Sequence, residues 1–85
     1  MYAHTPRLRE FDTVRVLALP PHLQDRVVWH ISGRLPEVGD LGTIVDAHEE
    51  HRGPFYTVEC TAGNGDTVWV ATFSAEQLEF VQRPR

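Results

Sequence analysis

The octet Val38-Gly39-Asp40-Leu41-Gly42-Thr43-Ile44-Val45 sets two glycines three residues apart and runs straight into β-branched residues. A phosphate-cradling loop needs its glycines to open a helix, whose amides then point at the anion. Thr43, Ile44 and Val45 do not favour a helix. The lysine of such a loop is also missing, since the chain contains no lysine at all. The octet is therefore read as a turn over Val38 to Asp40 that feeds a strand. Gly39 supplies a positive φ there, and Gly42 marks a bulge or tight bend in a curled strand.

The rest of the chain repeats this logic of short β-prone runs cut by breakers. Asp12 to Leu17 alternates apolar and polar residues with period two, which predicts a half-buried strand, and Pro20-Pro21 ends it. Residues 18–40 form a long connection in which Val27-Val28-Trp29-His30-Ile31 is β-prone and Ser32-Gly33 and Pro36 break the chain again. So long a stretch is expected to fold as an arm of its own. Leu41 to Ala47, Phe55 to Cys60 and Thr67 to Phe73 read as three strands in meander. A polar turn at His48 to Pro54 joins the first two, and Gly63-Asn64-Gly65-Asp66 joins the last two. Asn64 and Gly65 accept positive φ cheaply. Ser74-Ala75-Glu76-Gln77 has the form of a helix cap, which predicts one short 3₁₀ turn before a last strand at Leu78 to Val81. Five short strands without a full helix point to an all-β fold, a small barrel or curled sheet. Residues 1–10 are expected to be a flexible lead-in, 11–82 the folded unit and 83–85 a tail.

Eighty-five residues fit one small domain, too small for a deep catalytic cleft. The single cysteine, Cys60, excludes an internal disulfide and a cysteine-based zinc cluster. No apolar run approaches membrane-spanning length, and residues 1–10 lack the apolar stretch of a signal peptide, so a cytoplasmic protein with no membrane partner is expected. The net charge of −4 is unevenly spread. Between Glu37 and Phe80 stand Glu37, Asp40, Asp46, Glu49, Glu50, Glu59, Asp66, Glu76 and Glu79 against Arg52 alone. Phosphate backbones need clustered cations, so nucleic acid is not expected as a partner, whereas a basic protein is.

The segments "FDTVRVL", "VGDLGTIVDAH", "FYTVEC", "GDTVWVATF" and "AEQLEFV" occur in the order and style of the SH3-like barrel at the C-terminal end of the nitrile hydratase beta subunit. They resemble still more a bacterial family of small stand-alone proteins with that barrel and no assigned function. The resemblance spans about Phe11 to Val81. It implies a five-stranded SH3-like barrel with a long loop after the first strand, and it makes Gly39, Gly42, Ile44, Tyr56, Val58 and Leu78 fold-defining. It implies no catalytic residue. The metal centre of the hydratase belongs to its alpha subunit and is built from clustered cysteines, which this chain does not have. Family habit, genes paired with a toxin-like neighbour, implies an antitoxin or immunity role. The alternative is an accessory or beta-type subunit of a nitrile-hydratase-like metalloenzyme.

Candidate chemistry is sparse. His48-Glu49-Glu50-His51 offers imidazoles and carboxylates. Its histidines are three apart in an expected turn, not four apart on a helix as in zinc proteases. No metal or other cofactor is assigned. Cys60 follows "YTVE" and reads as a small core hydrophobe without a neighbouring cation to activate it. The expected core is Val14, Val16, Ile44, Tyr56, Val58, Cys60, Val68, Val70, Phe73 and Leu78. The face of Trp69 depends on the hairpin register: pairing Cys60 with Trp69 puts both inside, and pairing Cys60 with Val70 turns Trp69 outward. The second register is taken, because the related subunit carries polar residues at the alternate positions. Trp69 then joins Phe55 and Thr57 outside, and Trp29 extends the patch. Trp29, Trp69 and Phe55, with Glu49 and Glu50 beside them, form the expected partner-binding surface of a non-catalytic module.

Overall fold

The computed structural model describes residues 7–30, 34–51 and 53–85, without the side chains of Trp29 and His30. The lead-in over residues 1–6 lies outside the described residues. The chain forms six strands: β1 (Thr13–Val16), β2 (Val27–His30), β3 (Leu41–Glu50), β4 (Gly53–Thr61), β5 (Thr67–Ser74) and β6 (Leu78–Gln82). Short 3₁₀ turns at Leu23–Asp25 and Ala75–Gln77 precede β2 and β6. All pairings are antiparallel and make one sheet in the order β2-β5-β4-β3-β1-β6. The fold is all-β, as the alternation predicts.

The count of five strands is corrected to six. Val27–His30 does not fold as a separate arm but adds to the edge of β5, in the register Val27↔Ala71, Trp29↔Val70 and His30↔Trp69. Before the strand begins, the Thr72 amide already donates to the Arg26 carbonyl at 2.9 Å. The β-prone run thus satisfies its backbone on a strand some forty residues away, which no local pattern announces. β3 and β4 also run on through much of the expected turn, to Glu50 and from Gly53. Pro54 sits opposite Glu49 in that extension.

Bulges interrupt the pairing between Thr13 and Val14, Val27 and Trp29, Ile44 and Asp46, and Cys60 and Thr61. Each such shift adds local twist to the sheet. Gly39 has φ 97°, as its turn requires, and closes it with the Asp40 amide donating to the Glu37 carbonyl. Gly42 works differently from the expected bulge. It pairs with Val14, and a Cβ there would stand 2.5 Å from Val58 Cγ1 and 2.8 Å from the Glu59 carbonyl oxygen. Its missing side chain lets β3 pass close to β4. Phe11, at φ 74°, ends a turn in which the Asp12 amide donates to the Arg9 carbonyl, and its own amide donates to Ile44.

The core consists of Leu8, Val14, Val16, Ile44, Tyr56, Val58, Cys60, Trp69, Ala71, Phe73 and Leu78. Val68 and Val70 are only half-buried. The expected face of β5 is therefore corrected: Trp69, Ala71 and Phe73 point inward, because Cys60 pairs with Trp69. The connection that sets this register is longer than an Asn64-Gly65 turn alone. The last pair is Thr61↔Thr67, so β5 carries an extra residue before Cys60↔Trp69. Gly65 takes φ 90°, and Asn64 Oδ1 accepts from the Asp66 amide at 3.0 Å.

Candidate functional site

Trp69 is not a surface residue. It has 0% exposure, packs edge-to-face on Phe73 at 5.9 Å, and donates from Nε1 to Asp40 Oδ2 at 3.0 Å. The same carboxylate accepts two bonds from the Arg34 guanidinium, each 3.0 Å, and one from the Glu37 amide at 3.0 Å. Burial works against the charge of Asp40. The Arg34, Glu37 and Trp69 donors outweigh it and hold the carboxyl below its ordinary value. The turn octet thus delivers a carboxylate that ties the long connection, the β3 entry and the core tryptophan together. Cys60 lies within this setting. Burial first, and then the Asp40 charge, push its thiol up, which disfavours the thiolate.

With Trp69 removed, the outer face of β3–β4–β5 is built around Phe55. The register stacks His48↔Phe55↔Ser74 and Asp46↔Thr57↔Thr72 in successive rows. The Arg26 guanidinium lies 4.8 Å above the Phe55 ring centre, and the His48 ring stacks beside it at 6.4 Å and 22°. Glu50 reaches His48 Nε2 at 3.0 Å and Arg26 Nη1 at 3.9 Å, while Asp46 stands 3.4 Å from His48 Nδ1. Two open grooves meet at Phe55. The larger, about 330 Å³, runs past Pro20, Pro21, Thr72 and Glu76. The smaller, about 210 Å³, is lined by Arg26, Glu50, His51 and Phe55.

The structure separates the other expected site residues. Glu49 and Glu50 alternate across β3, so they address opposite faces. Glu50 joins the Phe55 face, and Glu49 turns to Arg7 at 3.4 Å. Trp29 stands in the edge strand opposite Val70, and its side chain lies outside the described residues. Among the described residues no group of three or more His, Cys, Asp and Glu gathers in a way that could hold a metal ion.

Sequence reasoning missed the two chain ends. Asp12 is fully buried and accepts from Arg83 Nε at 2.8 Å, Arg83 Nη2 at 2.9 Å and the Arg9 amide at 2.9 Å. The Arg83 bonds lead in holding its carboxyl below the ordinary value. Leu8 enters the core from the segment counted as lead-in, and Arg83 Nη2 also donates to the Arg7 carbonyl at 2.8 Å. Period-two parity with Val14 and Val16 puts Asp12 on the inward face, but nothing near it in sequence marks a buried carboxylate there. Only its partner 71 residues on makes that possible.

The sequence matches the family described as a domain of unknown function, DUF4926, over residues 10–80. The chain belongs to that family. No curated protein and no solved structure matches it. The DUF4926 span takes in the Asp40 network and the whole Phe55 face. Leu8 and Arg83 fall just outside its two ends and pack onto it. No helix among the described residues of this DUF4926 chain is long and apolar enough to cross a membrane.

Proposed function

We propose that the chain is a non-catalytic protein-binding module on an SH3-like barrel, acting as an antitoxin or immunity partner of a basic protein encoded beside it. The observation that carries this reading is the Arg26–Phe55–Glu50 arrangement. It displays the chemistry that the surface accepts: a guanidinium on an aromatic face with a carboxylate in reach. The internal pair is loose, at 3.9 Å with both side chains over a third exposed, so an incoming arginine or lysine can compete for it at small cost. Glu76 in the adjoining groove adds a second carboxylate. The barrel reading is supported by the four shifts of register, each a place where a strand can bend, and by β3, whose first residues pair with β1 while its length pairs with β4. The likeness of the sequence segments to the nitrile hydratase beta barrel points the same way.

Co-expression with the neighbouring gene product tests the function. The expected result is a stable complex and relief of toxicity, with Phe55→Ala and Glu50→Lys each weakening binding at least about tenfold. A neighbour that stays toxic and unbound in the presence of the wild-type chain would falsify the reading.

A further inference from the structure

We infer that the free edge of β6 is a second binding site, one that takes up an extended acidic segment of a partner as an added strand. β6 ends the sheet, with β1 on one side and, among the described residues, no strand on the other. Half of its amides and carbonyls therefore point away from the sheet, a ready template for strand pairing. Natural edges are blunted by lysine, proline or inward charges. Leu78-Glu79-Phe80-Val81-Gln82 has none of these, since Glu79 points outward to Arg15 at 2.7 Å.

An edge alone would not select a ligand. Beside this one lies a groove of about 230 Å³ lined by Leu8, Pro54, Tyr56, Ala75, Leu78 and Phe80, with Arg7 at its mouth. A strand laid along β6 would send every second side chain toward this groove, so apolar residues at alternate positions fit it. Charge decides the rest. The chain ends meet here, because Arg83 covers the Phe80 ring at 5.3 Å and bonds to the Arg7 carbonyl. Arg83 is committed to Asp12, but Arg7, Arg9 and Arg85 are exposed. Arg7 makes only an open pair with Glu49 at 3.4 Å. Glu10 is the one exposed carboxylate in the same two terminal segments without a base partner among the described residues. The two segments carry Arg7, Arg9, Arg83 and Arg85 against Glu10 and Asp12, a positive balance on a molecule of net charge −4, and that balance favours an acidic strand over a basic one. The site shares no residue with the Phe55 face, and either can fail without the other.

The test titrates the full isotope-labelled chain with a short peptide alternating glutamate with valine and phenylalanine. Two controls accompany it: lysine in place of glutamate, and a proline at the centre. The expected result is amide shifts concentrated at Leu78–Gln82, affinity at least about tenfold above that of the lysine peptide, and loss of binding with the proline peptide. Arg9→Glu, on an exposed side chain, should weaken the acidic peptide severalfold and leave the spectrum otherwise native. Equal binding of the lysine peptide, survival of binding with proline, or shifts centred on Phe55 would each overturn the proposal. So would sedimentation showing that a second copy of the chain already occupies the β6 edge.

Discussion

Asp40 is the residue on which most of the internal polar structure converges. One carboxylate satisfies a guanidinium fork, a backbone amide and an indole N–H. Its side chain is 14% exposed, so water replaces little of this if the charge is lost. Asp40→Asn keeps the shape but cannot accept both arms of Arg34 as a charged pair. Bonds to charged groups contribute about 1.5–3 kcal/mol each, with losses in one network far from additive. The substitution should lower unfolding free energy by about 2–3 kcal/mol in urea titration. The Trp69 indole, losing its charged partner, should shift its fluorescence. Unchanged stability would mean that the turn, and not the carboxylate, holds the connection in place. Nothing in the sequence joins Arg34, Asp40 and Trp69, since the first and last of them meet only through a fold that brings β5 under the turn.

The elements were legible to the degree that their partners were local. β3, β4 and β5 follow one another as a meander, and alternation with turn residues was enough to find them. The sequence marks β2 as β-prone but not as a strand of this sheet, because its partner lies beyond two intervening strands. The face of β5 departs from expectation although its signal is present in the sequence. Trp69 and Phe73 share parity and Val70 does not, so a regular strand cannot bury both Val70 and Phe73. Weighing that parity above the likeness to a related subunit would have placed Trp69 inside. Gly42 shows the same limit at an element crossing: its role comes from Val58 and Glu59 of the next strand, not from its own backbone. Gly42→Ala forces a methyl group to 2.5 Å from one side chain and 2.8 Å from a backbone oxygen. Backbone cannot step aside cheaply, so a loss of about 1–3 kcal/mol is expected in urea or thermal unfolding, with the fold retained. At Gly39, where nothing lies within 4 Å, alanine should cost less and only through its φ.

At the scale of the whole molecule, two depressed carboxylates set the acid limit. Asp12 and Asp40 both titrate below the ordinary 3.8 in the folded chain. A folded-state value below the unfolded one means that the stabilisation is complete above the unfolded value and is lost as pH falls through the folded one. Stability should therefore be flat near neutrality and fall steeply only below about pH 4. Arg83 makes this a statement about chain closure, because its guanidinium joins the C-terminal end to a carboxylate with 0% exposure beside the N-terminal segment. Arg83→Ala leaves that carboxylate buried with only the Arg9 amide, so its charge becomes unfavourable and its folded-state value rises. Removing one partner leaves the Asp12 charge uncompensated in a buried position, which is destabilising, and the partial exposure of Arg83, at 31%, moderates the loss. The substitution should both lower stability at neutral pH and move the onset of acid unfolding upward. Asp12→Asn in the same background should recover part of the loss, since it removes the uncompensated charge. A double variant no better than Arg83→Ala alone would show that the guanidinium acts by packing on Phe80 and not by neutralising Asp12.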